Sequence, residues 1–539
     1  MNNTVAKTLT GAQILLDTLK NSGVDTIFGY PGGIVLSVYD ELLNRFDIKH
    51  VLVRHEQAAV HAAEGYARTS GKCGVVLVTS GPGGTNTVTG LMDAYLDGIP
   101  VIVITGQVVS DMLGRDAFQE ADICSMTKSC TKANFQVKSI DALEDTIVSA
   151  FQIAQSGKKG PVLVDITKDV FSSKSAYLYR KPVVNSSDTF EGDYNLALAE
   201  ILSAKKPVIV AGGGVLQADA SDELCKLAQM LDIPVVSTMM GLGAYPQGDK
   251  NYLGMLGIFG DFSANQALRE SDLVLSIGAR FNDRITCCFD KEQLSKKFIQ
   301  LDINKKELSR NVAAHIELCG DAKLILSKML SSAKQQAREA WINETRLLKS
   351  KNAPRKKISE KLHAFEVIRA IDKFTLDKDV VFTAEVGQHQ VLAAQNLTLS
   401  RNRKLFSSCG AGTMGFGFPA AIGASFACDS PVVCIAGDGS FQMNIQELAT
   451  CADYDLPVKI MVINNGYLGM VRQLQDKFCD GRYSETKISN PDFVKLAQSY
   501  GLPAMRVNSY DEINSALEYA FNTKGTVIVD FVVEPLESV

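Results

Sequence analysis

No Cys-x-x-Cys pair occurs in this chain, and of its 12 cysteines only Cys287 and Cys288 are adjacent. Zinc-ribbon and thiol-redox spacings are therefore missing, and scattered thiols fit a reducing cytoplasm better than a disulfide framework. No apolar run approaches the ~20 residues that a membrane helix needs. The opening MNNTVAKTLTGAQILL has neither the continuous apolar stretch nor the small-residue cleavage site of a secretory signal. Positive charge is not in excess: 55 Lys+Arg against 60 Asp+Glu give a net charge of −5. That removes the electrostatic argument for nucleic acid or an acidic membrane surface as a partner. Tryptophan is nearly absent, with Trp341 alone. The expectation is a soluble, cytoplasmic protein.

What the chain has is length and alternation. At 539 residues, 46% hydrophobic and 21% charged, it can build about three domains, each with its own core. Residues 1–175 alternate helix-like segments (10–21, 58–68) with strand-like ones (26–29, 50–53, 74–79, 100–105, 162–166). A Ser/Pro/Lys/Asp-rich linker at 175–194 leads to a second unit, 190–345, with strands at 207–211, 234–237, 273–277 and 298–303. The triplet Gly212-Gly213-Gly214 after its first strand is as compatible with a structural turn as with a dinucleotide turn. A charged helical stretch at 335–357 reads as a connector to the third unit, 360–539. The fold class is α/β, with three doubly wound parallel-sheet domains. The first and third look similar, without a demonstrable sequence repeat.

The third unit carries the most specific chemistry. An apolar run at 432–436 ends in Gly437-Asp438-Gly439-Ser440, followed by a helical segment with Ile445, Leu448 and Ala449 on one face. A second run, 459–463, ends in Asn464-Asn465-Gly466. Ligands of open α/β sheets sit at such carboxyl ends. Asp438 and Asn465 supply hard oxygens suited to Mg2+. Gly437 and Gly439 allow close backbone approach to a diphosphate, and the following helix offers its N-terminus to that anion. Gly-Asp-Gly alone is equally compatible with a capped turn; joined to the downstream Asn-Asn it resembles the diphosphate-and-metal motif of thiamine diphosphate enzymes. In the first unit, Glu56 lies just past a strand at a helix start. There its carboxylate is expected in a poorly solvated cleft, with its pKa raised by desolvation; a capping Glu is the ordinary alternative.

Five further blocks extend the resemblance: FGYPGG at 28–33, RHEQAAVHAAEGYAR at 54–68, VTSGPGGTN at 78–86, DAFQEADI at 116–123 and GTMGFGFPAAIGA at 412–424. Together they resemble the acetohydroxyacid (acetolactate) synthase catalytic subunit, over essentially the whole chain. The resemblance implies a pyrimidine-binding domain (1–175), a central FAD-binding domain (190–345) and a diphosphate-binding domain (360–539). It implies that Glu56 hydrogen-bonds the cofactor's aminopyrimidine and promotes its imino tautomer, and that Met414 wedges under the cofactor. Asp438, Asn465 and the main-chain carbonyl of Tyr467 match the metal ligands. Gly387, Gln388, His389, Gly412, Gly437, Gly439, Ser440 and Met470 complete the implied thiamine diphosphate set. Gly33 would face the reacting carbon, with Phe118, Gln119 and Lys168 at substrate access. GMLG at 254–257, GARFNDR at 278–284, LDI at 301–303 and GDA at 320–322 imply FAD, through Arg280, Asp302 and Asp321, in a structural role.

The implied activity is decarboxylation of pyruvate and transfer of the hydroxyethyl unit to a second 2-oxo acid, giving acetolactate or acetohydroxybutyrate for branched-chain amino acids. A homodimer or tetramer with active sites shared between chains is implied, with a small regulatory subunit as a possible partner. The departures are Leu474 and Leu392 for tryptophans, Phe259 for a histidine, Thr167 for a proline, and an end at PLESV without the family's lid-forming tail. They spare the cofactor residues and gather on the acceptor side. This leaves open a different ketone acceptor, such as a keto-deoxysugar nucleotide. A paralogous subunit that only binds cofactor would not need Glu56, Asp438 and Asn465, and all three are present.

Overall fold

The computed structural model describes residues 7–177, 189–352 and 355–539. Most of the expected linker at 175–194 lies outside them. Three six-stranded sheets, parallel throughout, form the three units. Their central strands, such as Val101–Gln107, Pro207–Ala211 and Val432–Gly437, are buried at every position. Helices cover both faces of these sheets, so their strands read as unbroken apolar runs.

In the first sheet the strands, numbered by their order within the unit, lie 2-1-3-4-6-5, beginning with Thr26–Gly29 as strand 1. The third sheet, from Val380–Ala384 onward, has the same order, whereas the middle one runs 3-2-1-4-5-6. The first and third units are thus topological copies, which their sequences do not display. A short antiparallel pair, Lys7–Thr10 with Lys174–Tyr177, ties the two ends of the first unit together.

Five helices position the chemistry: α1 (Glu56–Ser70), α2 (Val88–Asp97), α3 (Gln388–Asn396), α4 (Gly417–Ser425) and α5 (Gly469–Phe478). Alanines favour α1 throughout. The His55 side chain accepts the Gln57 N–H at its start, and Gly71 at φ 75° ends it. Across the units, α1 packs on α4 at backbone distance: a Cβ on Gly65 would collide with the Ala420 carbonyl, and one on Gly423 with that of Ala62.

Two expectations need correction. The helix after Gly439 is broken: Asp438–Phe441 is followed by a 3-10 segment, Gln442–Glu447, and then by Leu448–Asp453. Asn444 leaves helical geometry (φ −131°, ψ 29°), and its amide donates to the Gly415 carbonyl at 2.7 Å. The charged stretch read as a connector also contains a core helix, Glu339–Ser350, which buries Trp341, Ile342, Thr345 and Leu348. The Trp341 indole N–H donates to the Pro207 carbonyl at 2.9 Å, fastening this helix to the first strand of the middle sheet. Among the described residues, no helix is long and apolar enough to cross a membrane.

Candidate functional site

Parallel strands deliver the site residues of the third unit to one sheet edge. Val432–Gly437 runs into Asp438, Val458–Asn464 into Asn465, and Val380–Ala384 into Glu385 and the turn at Gly387 before α3. Gly387 sits at φ 150°, in a region that disfavours side chains. A Cβ on Gly437 would lie 2.6 Å from the His389 ring, and one on Gly439 would lie 2.9 Å from Leu468. The glycines therefore keep a small chamber open. It is lined by Gly387, Gln388, His389, Met414, Gly437, Asp438, Gly439, Ser440, Asn465, Tyr467 and Met470.

Asp438 is buried, at 2% exposure, and burial raises its pKa to about 6 against the donors that face it. Its Oδ2 accepts the Gly466 N–H at 2.7 Å and the Asn490 amide at 2.6 Å. The Asn465 Oδ1 accepts the Tyr467 N–H at 2.9 Å. A carboxylate, an amide oxygen and a loop of main-chain carbonyls are the donors a hard divalent cation takes. The buried His389 has no partner for Nε2 among the described residues, and burial lowers its pKa to about 4. An orphaned imidazole nitrogen beside a glycine cradle suits a phosphate oxygen. The donor set fits a metal-bridged diphosphate.

A larger cleft of about 860 Å³ adjoins this chamber, and Gly387, Met414, Met470 and Val471 line both. Its walls hold Gly412, Arg280, Asp302 and Asp321, together with Phe259 and the half-exposed Leu474. Gly213 and Gly214 also line it, where the strand order of the middle sheet switches between the adjacent parallel strands Pro207–Ala211 and Leu273–Ile277. Such a switch point is where nucleotides lie in this strand order, but the Gly212 and Gly214 N–H groups donate to the Ile277 and Gly278 carbonyls at 2.9 and 3.2 Å, so close packing of a structural turn also accounts for the triplet. Leu392 is packed in the core of the third unit and also borders the small chamber. Glu537 and Val539 wall the small chamber, and the Glu537 carbonyl accepts from Gln388 at 2.9 Å and from Arg472 at 2.7 Å.

Glu56, Gly33, Phe118, Gln119 and Lys168 line neither cavity. They gather instead on the edge of the first sheet. Gly81 approaches Gln119, which holds φ 60°, and Gly83 faces the Glu56 carboxylate. Phe118 is 88% exposed, Gly33 and Lys168 are exposed, and nothing lies within 4 Å of a Cβ on Gly33. Glu56 opens α1 and is only half-buried, so the enclosed cleft expected for it is not formed by the described residues of its own chain. Its Oε2 accepts the Asn86 amide at 2.8 Å. Thr79 and Ser80, buried at the same strand end, have hydroxyls without partners among the described residues.

Three residues escaped the sequence reading: Asn86, Asn490 and Glu385. The carboxylate of Glu385, fully buried, accepts the Gly415 N–H at 2.7 Å and the Phe418 N–H at 2.9 Å, holding the start of α4 just beyond Met414. Asn86 had a signal, since it closes the VTSGPGGTN block; the other two had none.

Comparison with known proteins decides the family. Residues 9–126, 195–329 and 385–531 match, in turn, the N-terminal TPP binding domain, the central domain and the C-terminal TPP binding domain of thiamine pyrophosphate enzymes. The acetolactate synthase large subunit of Haemophilus influenzae is 43% identical over 99% of this chain and 96% of its own. The chain belongs to the acetolactate synthase large-subunit family. Other members at similar distance are the isozyme 3 large subunit of Escherichia coli, 40% identical over 98% of this chain and 96% of its own, and the Corynebacterium glutamicum large subunit, 42% identical over 97% and 87%. In this family's terms, the third unit holds a thiamine diphosphate cradle and the first unit holds the exposed edge bearing Glu56.

Proposed function

We infer that this protein is a thiamine diphosphate-dependent carboligase that decarboxylates pyruvate and joins the resulting two-carbon unit to a second 2-oxo acid, forming acetolactate or acetohydroxybutyrate. The observation that carries this reading is the match to acetolactate synthase large subunits along nearly the whole chain, with the diphosphate cradle intact. Bound thiamine diphosphate supplies the nucleophilic carbon and the electron sink; the protein supplies orientation and proton control.

In this reading Asp438, Asn465 and the Tyr467 carbonyl hold Mg2+, and His389, Gln388 and the glycines at 387, 437 and 439 hold the diphosphate. Ser440, Gly412, Met414 and Met470 complete the chamber, with Met414 supporting the cofactor from below. Glu56 holds a proton at the aminopyrimidine. Gly33, Phe118, Gln119 and Lys168 receive the oxo acid, and the Lys168 ammonium suits its carboxylate. Glu56 and Asp438 line no common cavity in one chain, which supports a homodimer in which the first unit of one copy closes on the third unit of the other. The large cleft, with Arg280, Asp302 and Asp321 at a topological switch point, supports structural FAD. The name "large subunit" carried by the relatives supports a small regulatory partner.

Mass spectrometry of the products tests the reaction. Acetolactate from pyruvate alone, and acetohydroxybutyrate when 2-oxobutyrate is added, are expected. Acetaldehyde as the sole product, or carboligation only with some other ketone, overturns the assignment.

A further inference from the structure

We propose that Asn490 is a positioning residue for the metal-binding carboxylate, fixing one oxygen of Asp438 so that the other meets the cation. This rests on the reading of the chamber given above and deepens it. The Asn490 amide donates to Asp438 Oδ2 at 2.6 Å and to Asn464 Oδ1 at 2.9 Å, while its own oxygen accepts from Gln442 Nε2 at 2.9 Å. All three bonds specify one amide orientation, because the flipped amide would set its oxygen against two acceptors.

Asn490 is anchored in turn. Asn464 donates to Asp530 at 2.9 Å, and the other carboxylate oxygen of Asp530 accepts from Arg506 Nε at 2.9 Å. A chain of charge and amide bonds thus runs from Arg506, through Asp530, Asn464 and Asn490, to Asp438. The two asparagines of the Asn464-Asn465 pair have divided duties: Asn465 faces the chamber, and Asn464 turns away to hold Asn490. With Gly466 N–H and Asn490 both on Oδ2, the Asp438 carboxylate cannot rotate freely, and an outer partner of this kind commonly contributes ~10–100-fold to metal affinity.

Mg2+ demands near-ideal octahedral geometry, whereas Ca2+ accepts a looser one. Loss of the Asn490 amide should therefore weaken Mg2+ more than Ca2+. The test is calorimetric titration of each ion into the full-length protein with saturating thiamine diphosphate. For Asn490→Ala the Mg2+ dissociation constant is expected to rise ~10–100-fold, with a smaller rise for Ca2+. Asn490→Ser, which stays polar but is too short to reach Asp438, should follow the same pattern and serves if the alanine variant folds poorly. An unchanged Mg2+ constant, or equal losses for the two ions with a lowered melting temperature, would show that Asn490 merely closes its loop. Failure of the unaltered protein to bind Mg2+ would instead overturn the metal site itself, and this inference with it.

Discussion

Glu56 and Glu385 show how differently one residue type can be surrounded. Glu56 is half-open, held by Asn86 and turned to an edge. Its replacement by glutamine should leave thiamine diphosphate binding in place and slow exchange of the cofactor's C2 proton by ~10²–10⁴-fold, the usual range for a lost general acid-base group; NMR-detected exchange at wild-type speed would remove Glu56 from the chemistry. Glu385 is sealed under the start of α4, and burial raises its pKa from 4.5 to about 7 despite the backbone donors that favour its charge. Between those values the folded chain binds the proton that the unfolded chain has released. Stability from this group is full below pH 4.5 and falls by roughly 3 kcal/mol as pH rises to 7. Glu385→Gln should flatten that part of the melting temperature–pH profile. The residues legible in the sequence were those of local motifs, Asp438 and Asn465 foremost. Asn490 stands 52 residues beyond Asp438, and only the folding of the intervening chain makes them neighbours.

Among the elements, strands were read with small errors because burial on both faces makes them continuous apolar runs; 459–463, for example, became Val458–Asn464. The helix after Gly439 misled because its kink is set by a tertiary bond from Asn444 to the Gly415 carbonyl, which no local propensity records. The helix Glu339–Ser350 hid its apolar face among charges, although Trp341, Ile342, Thr345 and Leu348 follow helical spacing. Its single tryptophan makes intrinsic fluorescence a reporter of the middle unit. FAD should shift the fluorescence-detected unfolding of that unit upward, by about 2.7 kcal/mol at a hundredfold excess over its dissociation constant; no shift on adding FAD would contradict flavin binding by this unit.

For the whole molecule, the three-sheet architecture was legible from alternation, but the shared strand order of the first and third units was not, since it lies in pairings rather than in residue identity. The proposed division of the site between two copies makes a strong prediction. Chains carrying Glu56→Gln and chains carrying Asn465→Ala should each be inactive, yet co-assembled they should recover carboligation, because one of the two clefts in a mixed pair keeps both residues. Inactivity of verified mixed dimers would place both residues in the same chain's site.

The contact between α1 and α4 has a mechanical consequence. With Gly65 and Gly423 set directly against opposing carbonyls, the two helices are held at backbone distance at two points, and Glu56 stands at the head of one while Met414 lies just ahead of the other. Each protein chain is in effect a stiff beam with a working tip at either end. In the homodimer proposed above, a displacement of one such beam that tightens one gap is expected to be felt at the second.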